Sequence, residues 1–170
     1  MIRYGVEGFD SNFFDYGYFD IFVIILLVPI VEEFLFRGYL SGRKDQLVFI
    51  VPQMIFCLII LKNFILYVLI LYLIFGVIFY LNIYKHLNEK AISNFLIFLL
   101  CFFSSILFSV VHYSNISHDS EKISILLSVI CYFPGALFLS FVRYKGGLFL
   151  SIFLHILINV SILFINNLVY

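Results

Sequence analysis

Charged residues are scarce in this chain, and their signs cancel. Only 12% of the 170 residues are Asp, Glu, Lys or Arg, the formal net charge is zero, and 64% of the residues are hydrophobic. A soluble domain of this size does not need so much apolar surface, which excludes the ordinary soluble class. The balanced charge also leaves no basic surface for nucleic acid. The composition predicts a single all-α domain over residues 1–170, a bundle of transmembrane helices in contact with membrane lipid.

Cysteine is scarce too, and two familiar signatures are missing. Cys57, Cys101 and Cys131 lie in apolar runs without a CxxC spacing, which excludes a disulfide framework and a thiolate metal site as leading interpretations. No HExxH sequence is present, so the commonest zinc-protease motif is absent. We expect no cleavable signal peptide, because the first apolar run begins near Phe19 after acidic residues rather than after a basic region.

Apolar segments occupy most of the chain, and we expect about six of them to span the membrane as helices. They run roughly over residues 18–39, 46–61, 63–84, 93–112, 123–142 and 147–169. An outside N-terminus places seven of the ten Lys and Arg residues in inside loops, as the positive-inside rule expects. Merging the second and third segments would lose this asymmetry, so we predict that they form a hairpin. Pro52 is a candidate kink in the second segment.

Two adjacent acids, Glu32 and Glu33, lie near the end of the first apolar segment, where an ionised carboxylate is costly. Glu33 precedes Arg37 by four residues, so one helical turn places their opposite charges on the same face. Glu32 lies about 100° around the helix without a local counter-charge, and therefore needs a partner from another segment. The alternative interpretation is an acid pair that is solvated at the inner membrane surface.

Three further polar residues lie in apolar segments. His112 ends the fourth segment, where a histidine is more often an interfacial residue than a catalyst. His155 and Asn159 in the sixth segment are four residues apart, so they share one helix face and must hydrogen-bond inside the bundle. A clamp that only joins helices is the alternative for this pair.

Three segments therefore contribute Glu32, His112, and His155 with Asn159. A carboxylate and a histidine can hold and deprotonate water, while a second histidine and an amide can donate hydrogen bonds to a developing oxyanion. Glu32, His112 and His155 are equally a familiar ligand set for a catalytic zinc ion. The residues alone do not choose between these two chemistries.

In this order, the polar residues resemble the three motifs of the CPBP family (CAAX protease and bacteriocin-processing, also called Abi) of intramembrane proteases. The motifs are Glu32-Glu33-x-x-x-Arg37, Phe108-x-x-x-His112 and His155-x-x-x-Asn159, with FRGYL at 36–40, SSILF at 104–108 and KGGL at 145–148 as supporting context. The resemblance covers about residues 25–44 and 100–165.

The resemblance implies hydrolysis of a peptide bond within or beside the membrane. Glu32 would activate water with His112 as its partner, and His155 and Asn159 would stabilise the oxyanion. Members of the family are often called metalloproteases, although a metal-free glutamate mechanism has also been proposed for them.

By the same resemblance, Glu33 and Arg37 would support the site rather than react. The resemblance allows prenylated C-terminal peptides, leader peptides or toxin precursors as substrates. The Phe-, Ile-, Tyr- and Asn-rich composition is typical of bacteria, where protein prenylation is not expected. We therefore expect a protein of the bacterial plasma membrane that acts on a peptide or protein other than a true CAAX substrate.

The chain departs from the family pattern in two ways. Only about a dozen apolar residues precede Glu32, where family members usually have further hydrophobic segments, so we expect a short N-terminal half. His112 follows Glu32 by 80 residues, more than is usual in the family. An inserted hairpin at about 46–84, within a core of about 18–44 and 93–169, would account for the excess.

Two other functions compete with proteolysis. A non-catalytic membrane protein of the same fold, such as a bacteriocin self-immunity protein, would use the polar residues only to lock helices together. A proton-coupled transporter would also place Glu and His inside the membrane, but transporters usually show internal repeats, and no repeat is visible in this sequence.

Helix geometry predicts a mismatch in depth between Glu32 and His112. At about 1.5 Å per residue, Glu32 lies roughly 18 Å from Asp20 at the outer end of the first segment. By the same rise, His112 lies about 27 Å from Asn94 at the inner end of the fourth segment. These values place His112 nearer the outside than Glu32, unless tilt, a shifted helix start or an acid-lined cavity brings the two together.

Overall fold

The computed structural model describes residues 18–61, 69–70, 72–73, 76–77, 92–116 and 118–169. The elements are α1 (Tyr18–Phe22), a π-helix (Val23–Leu27), α2 (Val28–Arg37), a 3₁₀ helix (Lys44–Phe49), α3 (Ile50–Ile60), α4 (Asn94–Val111), a 3₁₀ turn (Tyr113–Asn115) and α5 (Glu121–Val169). Every helix or strand assigned within these ranges is a helix, which confirms the all-α prediction.

The first three elements form one helical run that matches the first predicted segment. Pro29 lies in the first turn of α2, directly after the π-helix, and because proline has no backbone N–H it removes one hydrogen bond from this run. The run ends after Arg37, where the Gly38 N–H still donates to the Phe34 carbonyl at 3.1 Å. Both acids and Arg37 therefore belong to the same short helix.

The second predicted segment begins as a 3₁₀ helix and becomes α-helical at Ile50. Pro52 lies in the first turn of α3, beside this change of helix type. The third predicted segment, 63–84, lies mostly outside the described residues. The hairpin that the second and third segments were expected to form thus stays a prediction.

Helix α5 folds back on itself at Gly147. This residue has φ 88° and ψ 171°, a backbone conformation that is essentially restricted to glycine. The Ser151 Oγ lies 3.2 Å from the Leu139 carbonyl oxygen, whereas twelve residues of continuous helix would separate them by about 18 Å. We name residues 121–146 the first arm and residues 148–169 the second arm. Their boundary agrees with the one predicted between the fifth and sixth segments.

Replacing Gly147 with Ala should lower the stability of the hairpin by about 1–3 kcal/mol. An added Cβ would meet no atom within 4 Å, so the cost comes from the positive φ alone. Gly135→Ala is the matched control, because Gly135 lies inside α5 with equally open space around its Cβ. Thermal unfolding in detergent should show a lower midpoint for Gly147→Ala and an unchanged or higher one for Gly135→Ala. Equal midpoints for the two variants would contradict this assignment.

Loops that were predicted to share the inside face meet at one end of the bundle. The Ile92 N–H donates to the Gly42 carbonyl at 2.9 Å, and the Tyr144 hydroxyl lies 3.2 Å from Asn94 Oδ1. These contacts bring together the segment after α2, the start of α4 and the end of the first arm. The three segments thus lie at the same end of the bundle, and the assignment of that end to the inside stays a prediction.

Aromatic side chains pack α2 against α3 and α4, about one turn beyond the two acids. The Phe36 ring lies edge-on to Phe56 of α3 at 5.9 Å and to Phe108 of α4 at 5.3 Å. Since lipid chains are as apolar as these side chains, close packing rather than removal from water holds such helices together. The contacts place α2 where its acids face α4 and α5.

Two helices of the described chain are long and apolar enough to cross a membrane. They are Asn94–Val111 and the part of α5 from Glu121 to Ile165. Large apolar side chains on the second arm, Phe149 and Phe164 among them, are exposed on the surface, as expected for contact with lipid. The count of about six spans is not established by these helices and stays a prediction.

Candidate active site

Helix α2 presents its two acids to different surroundings. The Glu33 side chain is fully buried, with 0% exposed surface, whereas the Glu32 side chain is 16% exposed. The difference follows from their positions about 100° apart on one helix. Glu33 lies inside the protein, and Glu32 lines a site that is still accessible.

The predicted pair of Glu33 and Arg37 is present, and it is completely buried. Arg37 Nη1 donates to Glu33 Oε1. The other donors of the guanidinium reach Ser140 Oγ from Nε and the Ala136 carbonyl from Nη2, both at 3.3 Å, and its Cζ lies 4.7 Å from the Phe108 ring centroid. Arg37 thus ties α2 to α4 and to the first arm of α5.

Glu33 has two further contacts that the sequence did not predict. Its Oε1 also accepts a hydrogen bond from His155 Nδ1 at 2.9 Å, and its Oε2 accepts one from the Ser151 hydroxyl. The spacing could have revealed this serine, since Ser151 lies four residues before His155 and therefore one turn away on the same face. Glu33 supports His155 as well as neutralising Arg37.

The two histidines from distant segments both reach Glu32. His112 Nε2 lies 3.3 Å from Glu32 Oε1, and His155 Nε2 lies 3.5 Å from Glu32 Oε2. The side chain of His112 is 16% exposed and that of His155 is 7% exposed. Glu32 has no counter-charge nearby on its own helix. Its partners are instead two imidazole rings, one at each carboxylate oxygen.

The ring of His112 is held in a defined orientation. Its Nδ1 lies 2.7 Å from the Phe108 carbonyl oxygen, and because a carbonyl only accepts, Nδ1 carries the proton. The ring packs between Phe108 at 4.3 Å and Tyr132 at 5.0 Å. This leaves Nε2 free to face Glu32.

The nitrogen positions determine what Glu32 and the histidines can do together. Both rings bind through Nδ1–H to an oxygen acceptor, so a neutral ring presents an unprotonated Nε2 to Glu32. An ionised carboxylate and an unprotonated nitrogen both only accept. A hydrogen bond between Glu32 and His112 or His155 therefore needs an added proton, and each pair can take one up and pass it on.

Asn159 shares the face of the second arm with His155, one turn further along. Its residue is partly buried. In the part of the chain that the structure describes, its side chain has no hydrogen bond, so its contribution to the site stays a prediction. Three of the four predicted catalytic residues meet directly, and the fourth lies one helical turn beyond His155.

The structure brings Glu32 and His112 together despite the mismatch in depth that the residue counts predict, since His112 Nε2 lies 3.3 Å from Glu32 Oε1. The Ser104 hydroxyl donates to the Phe36 carbonyl, which puts the last turn of α2 level with the middle of α4. Tyr39, beyond the end of α2, is still completely buried. The end of α2 is therefore enclosed by protein, at a level along α4 that lets Glu32 reach His112.

Zinc requires ligand atoms about 2.0–2.2 Å from one common point. Among the residues that the structure describes, no group of three His, Cys, Asp or Glu side chains is arranged to hold a metal ion. The two Nε2 atoms instead face different oxygens of the Glu32 carboxylate. The zinc ligand set of Glu32, His112 and His155 stays a prediction, and the chemistry below uses only side chains of the protein.

A comparison with protein families finds a match over most of the chain. The family model is described as type II CAAX prenyl endopeptidase Rce1-like, and it matches residues 15–88 and 81–161. The chain belongs to the Rce1-like family. No curated protein and no solved structure matches this Rce1-like chain.

Membership confirms the resemblance to CAAX proteases that the three motifs carry. The first matched stretch contains Glu32 and Glu33, and the second contains both histidines and Asn159. Because the Rce1-like family is embedded in membranes, the chain is a CAAX-protease-like membrane protein. The predicted inserted hairpin, 46–84, falls within the first matched stretch and stays a prediction.

Proposed function

We propose that this Rce1-like protein is an intramembrane endopeptidase that hydrolyses a peptide bond in or near the membrane. The observation that supports the proposal most directly is the meeting of Glu32 with His112 and His155. Glu32 comes from α2, His112 is the residue directly after α4, and His155 comes from the second arm of α5. Each side chain retains some exposed surface. A clamp that only joins helices would need neither a second imidazole on the same carboxylate nor access for a reactant.

In this mechanism, Glu32 acts as the general base on a bound water molecule. The water proton moves to the Glu32 carboxylate, with His112 sharing it, while the water oxygen forms a bond to the carbonyl carbon of the substrate. The proton then passes to the peptide nitrogen and the C–N bond breaks. One amine and one carboxylic acid result, so the water is fully accounted for.

The negative charge of the intermediate lies on the former carbonyl oxygen. His155, when protonated, can donate from Nε2 to this oxygen, and the Asn159 amide can donate a second hydrogen bond. Removing one donor of this kind typically costs about 10²–10³ in kcat. The burial of His155 favours this role, because hydrogen bonds act more strongly where water is excluded.

The substrate is proposed to be a membrane-tethered peptide or protein. The matched family is described by its action on prenylated CAAX sequences, whereas the bacterial character of the composition favours an unmodified substrate in a bacterial plasma membrane. Two probes separate these cases. One is a farnesylated CAAX peptide, and the other is an unmodified peptide with a transmembrane anchor, both presented in proteoliposomes.

Replacing His112 with Ala should lower the rate of peptide cleavage by about 10²–10⁴-fold, because proton transfer beside Glu32 is lost. His118→Ala is the matched control, since His118 is exposed and its Nδ1 only accepts from the Ser120 N–H at 3.0 Å. Cleavage of the two probes is measured by mass spectrometry. We expect wild-type rates from His118→Ala and almost none from His112→Ala.

Equal rates in the two histidine variants would contradict the proposal. The non-catalytic alternative predicts that neither probe is cleaved by wild-type protein or by either variant. A further experiment repeats the cleavage assay after the protein has been treated with a chelator. Lost activity that zinc restores would assign a metal to Glu32, His112 and His155, and unchanged activity would assign the water activation to the side chains alone.

A further inference from the structure

We propose that Ser151 is a positioning residue, which fixes the orientation and tautomer of His155 through Glu33. Ser151 belongs to none of the three motifs, and its side chain is completely buried. The hydroxyl donates to Glu33 Oε2, while His155 Nδ1 donates to Glu33 Oε1. Its catalytic consequence depends on the proposed function, whereas the effect on His155 itself does not.

The hydrogen bonds to Glu33 show why the serine matters. Oε1 accepts from both Arg37 and His155, but Ser151 is the partner seen at Oε2. A buried carboxylate oxygen without a donor is strongly unfavourable. Without the hydroxyl, the carboxylate gains by turning Oε2 toward Arg37 or His155, and the contact between Oε1 and His155 is no longer unique.

Ser151 also lies at the point where three helical segments meet. Its Oγ is 3.2 Å from the Leu139 carbonyl on the first arm of α5 and in contact with Glu33 of α2. The single hydroxyl proton goes to the carboxylate, because a charged acceptor forms the stronger hydrogen bond. The second arm is therefore held against α2 one turn before His155.

The orientation of His155 depends on this arrangement. A carboxylate that accepts from one ring nitrogen sets the tautomer and directs the other nitrogen to the reaction, as carboxylate–histidine pairs do in metal sites. With Nδ1–H bound to Glu33, Nε2 is the nitrogen that faces Glu32 at 3.5 Å. Loosening Glu33 would let His155 adopt the other tautomer and turn Nε2 away.

The test is ¹⁵N NMR of histidine-labelled protein in nanodiscs, with the His155 signals assigned by comparison with a His155→Gln protein. We expect a protonated Nδ1 in the wild type and a mixture of Nδ1–H and Nε2–H forms in Ser151→Ala. Ser161→Ala is the control, because Ser161 lies on the same arm, is exposed and bonds only the Leu157 carbonyl. An unchanged His155 tautomer in Ser151→Ala would overturn the proposal.

Kinetics on the same proteins supply the second readout. Ser151→Ala should lower kcat by about 10- to 100-fold with KM little changed, while Ser151→Thr, which retains a hydroxyl, should recover much of the loss. A change in KM alone would contradict a positioning role. If wild-type protein cleaves neither probe, the proposed function fails, and the tautomer measurement still decides whether Ser151 positions His155.

Discussion

Replacing Glu32 with Gln is expected to reduce peptide cleavage by about 10²–10⁴-fold, with the protein still inserted and folded. The amide cannot take a proton from water, although it has nearly the same shape as the carboxyl group. The side chain is partly exposed, so the loss of charge removes no fully buried ion pair. The effect should fall on kcat, because proton transfer takes place only during the reaction.

Glu121→Gln is the matched control for this experiment. Glu121 begins α5 at an exposed position away from the site, so the same chemical change there should leave cleavage unaltered. Both variants are compared with the wild type by mass-spectrometric cleavage rates and by thermal unfolding in detergent. Cleavage by Glu32→Gln at the wild-type rate would contradict the mechanism in which Glu32 is the general base.

Replacing Arg37 with Met should destabilise the protein by about 3–5 kcal/mol, the usual cost of leaving a buried charge without its partner. Glu33 and Arg37 both have 0% exposed side chains. The loss of Arg37 also removes the hydrogen bonds to Ser140 and to the Ala136 carbonyl. We expect a large fall in the thermal unfolding midpoint and reduced recovery of inserted protein.

Two comparisons make the Arg37 prediction sharper. The double variant Glu33→Gln with Arg37→Met removes both charges and should be more stable than Arg37→Met alone, since no unpaired charge remains. Arg43→Met tests an exposed ion pair, in which Arg43 Nη2 lies 2.7 Å from Asp45 Oδ2, and should change stability little. If Arg37→Met proves as mild as Arg43→Met, the buried pair does not hold the bundle together.

The features that depend on local spacing could be predicted from the sequence. Apolar runs predict helices because the backbone in a membrane must satisfy its own hydrogen bonds. The separation of four residues between Glu33 and Arg37, and between His155 and Asn159, places each pair on one helical face. The absence of a counter-charge near Glu32 correctly indicated that its partners come from elsewhere in the chain.

The contacts between segments could not be predicted in the same way. Spacing along the chain predicts the pair of Glu33 and Arg37, but it does not predict that His155 and Ser151 also bind Glu33 from more than 100 residues away. The level of Glu32 relative to His112 does not follow from a count along one helix, because such a count does not show where that helix ends relative to its neighbours. The hydrogen bond from Ser104 to Phe36 decides this level.

The sequence by itself determined that this is an all-helical membrane protein. It also determined that polar side chains, which are energetically unfavourable in a membrane, form three family motifs. Composition and helical periodicity suffice for that, because both act within a few residues of each position. Only the tertiary structure decided that Glu32 faces two histidines and that Glu33 supports one of them. Those contacts depend on the chain reversal at Gly147 and on packing between helices. Residue spacing within a single segment predicts neither of them.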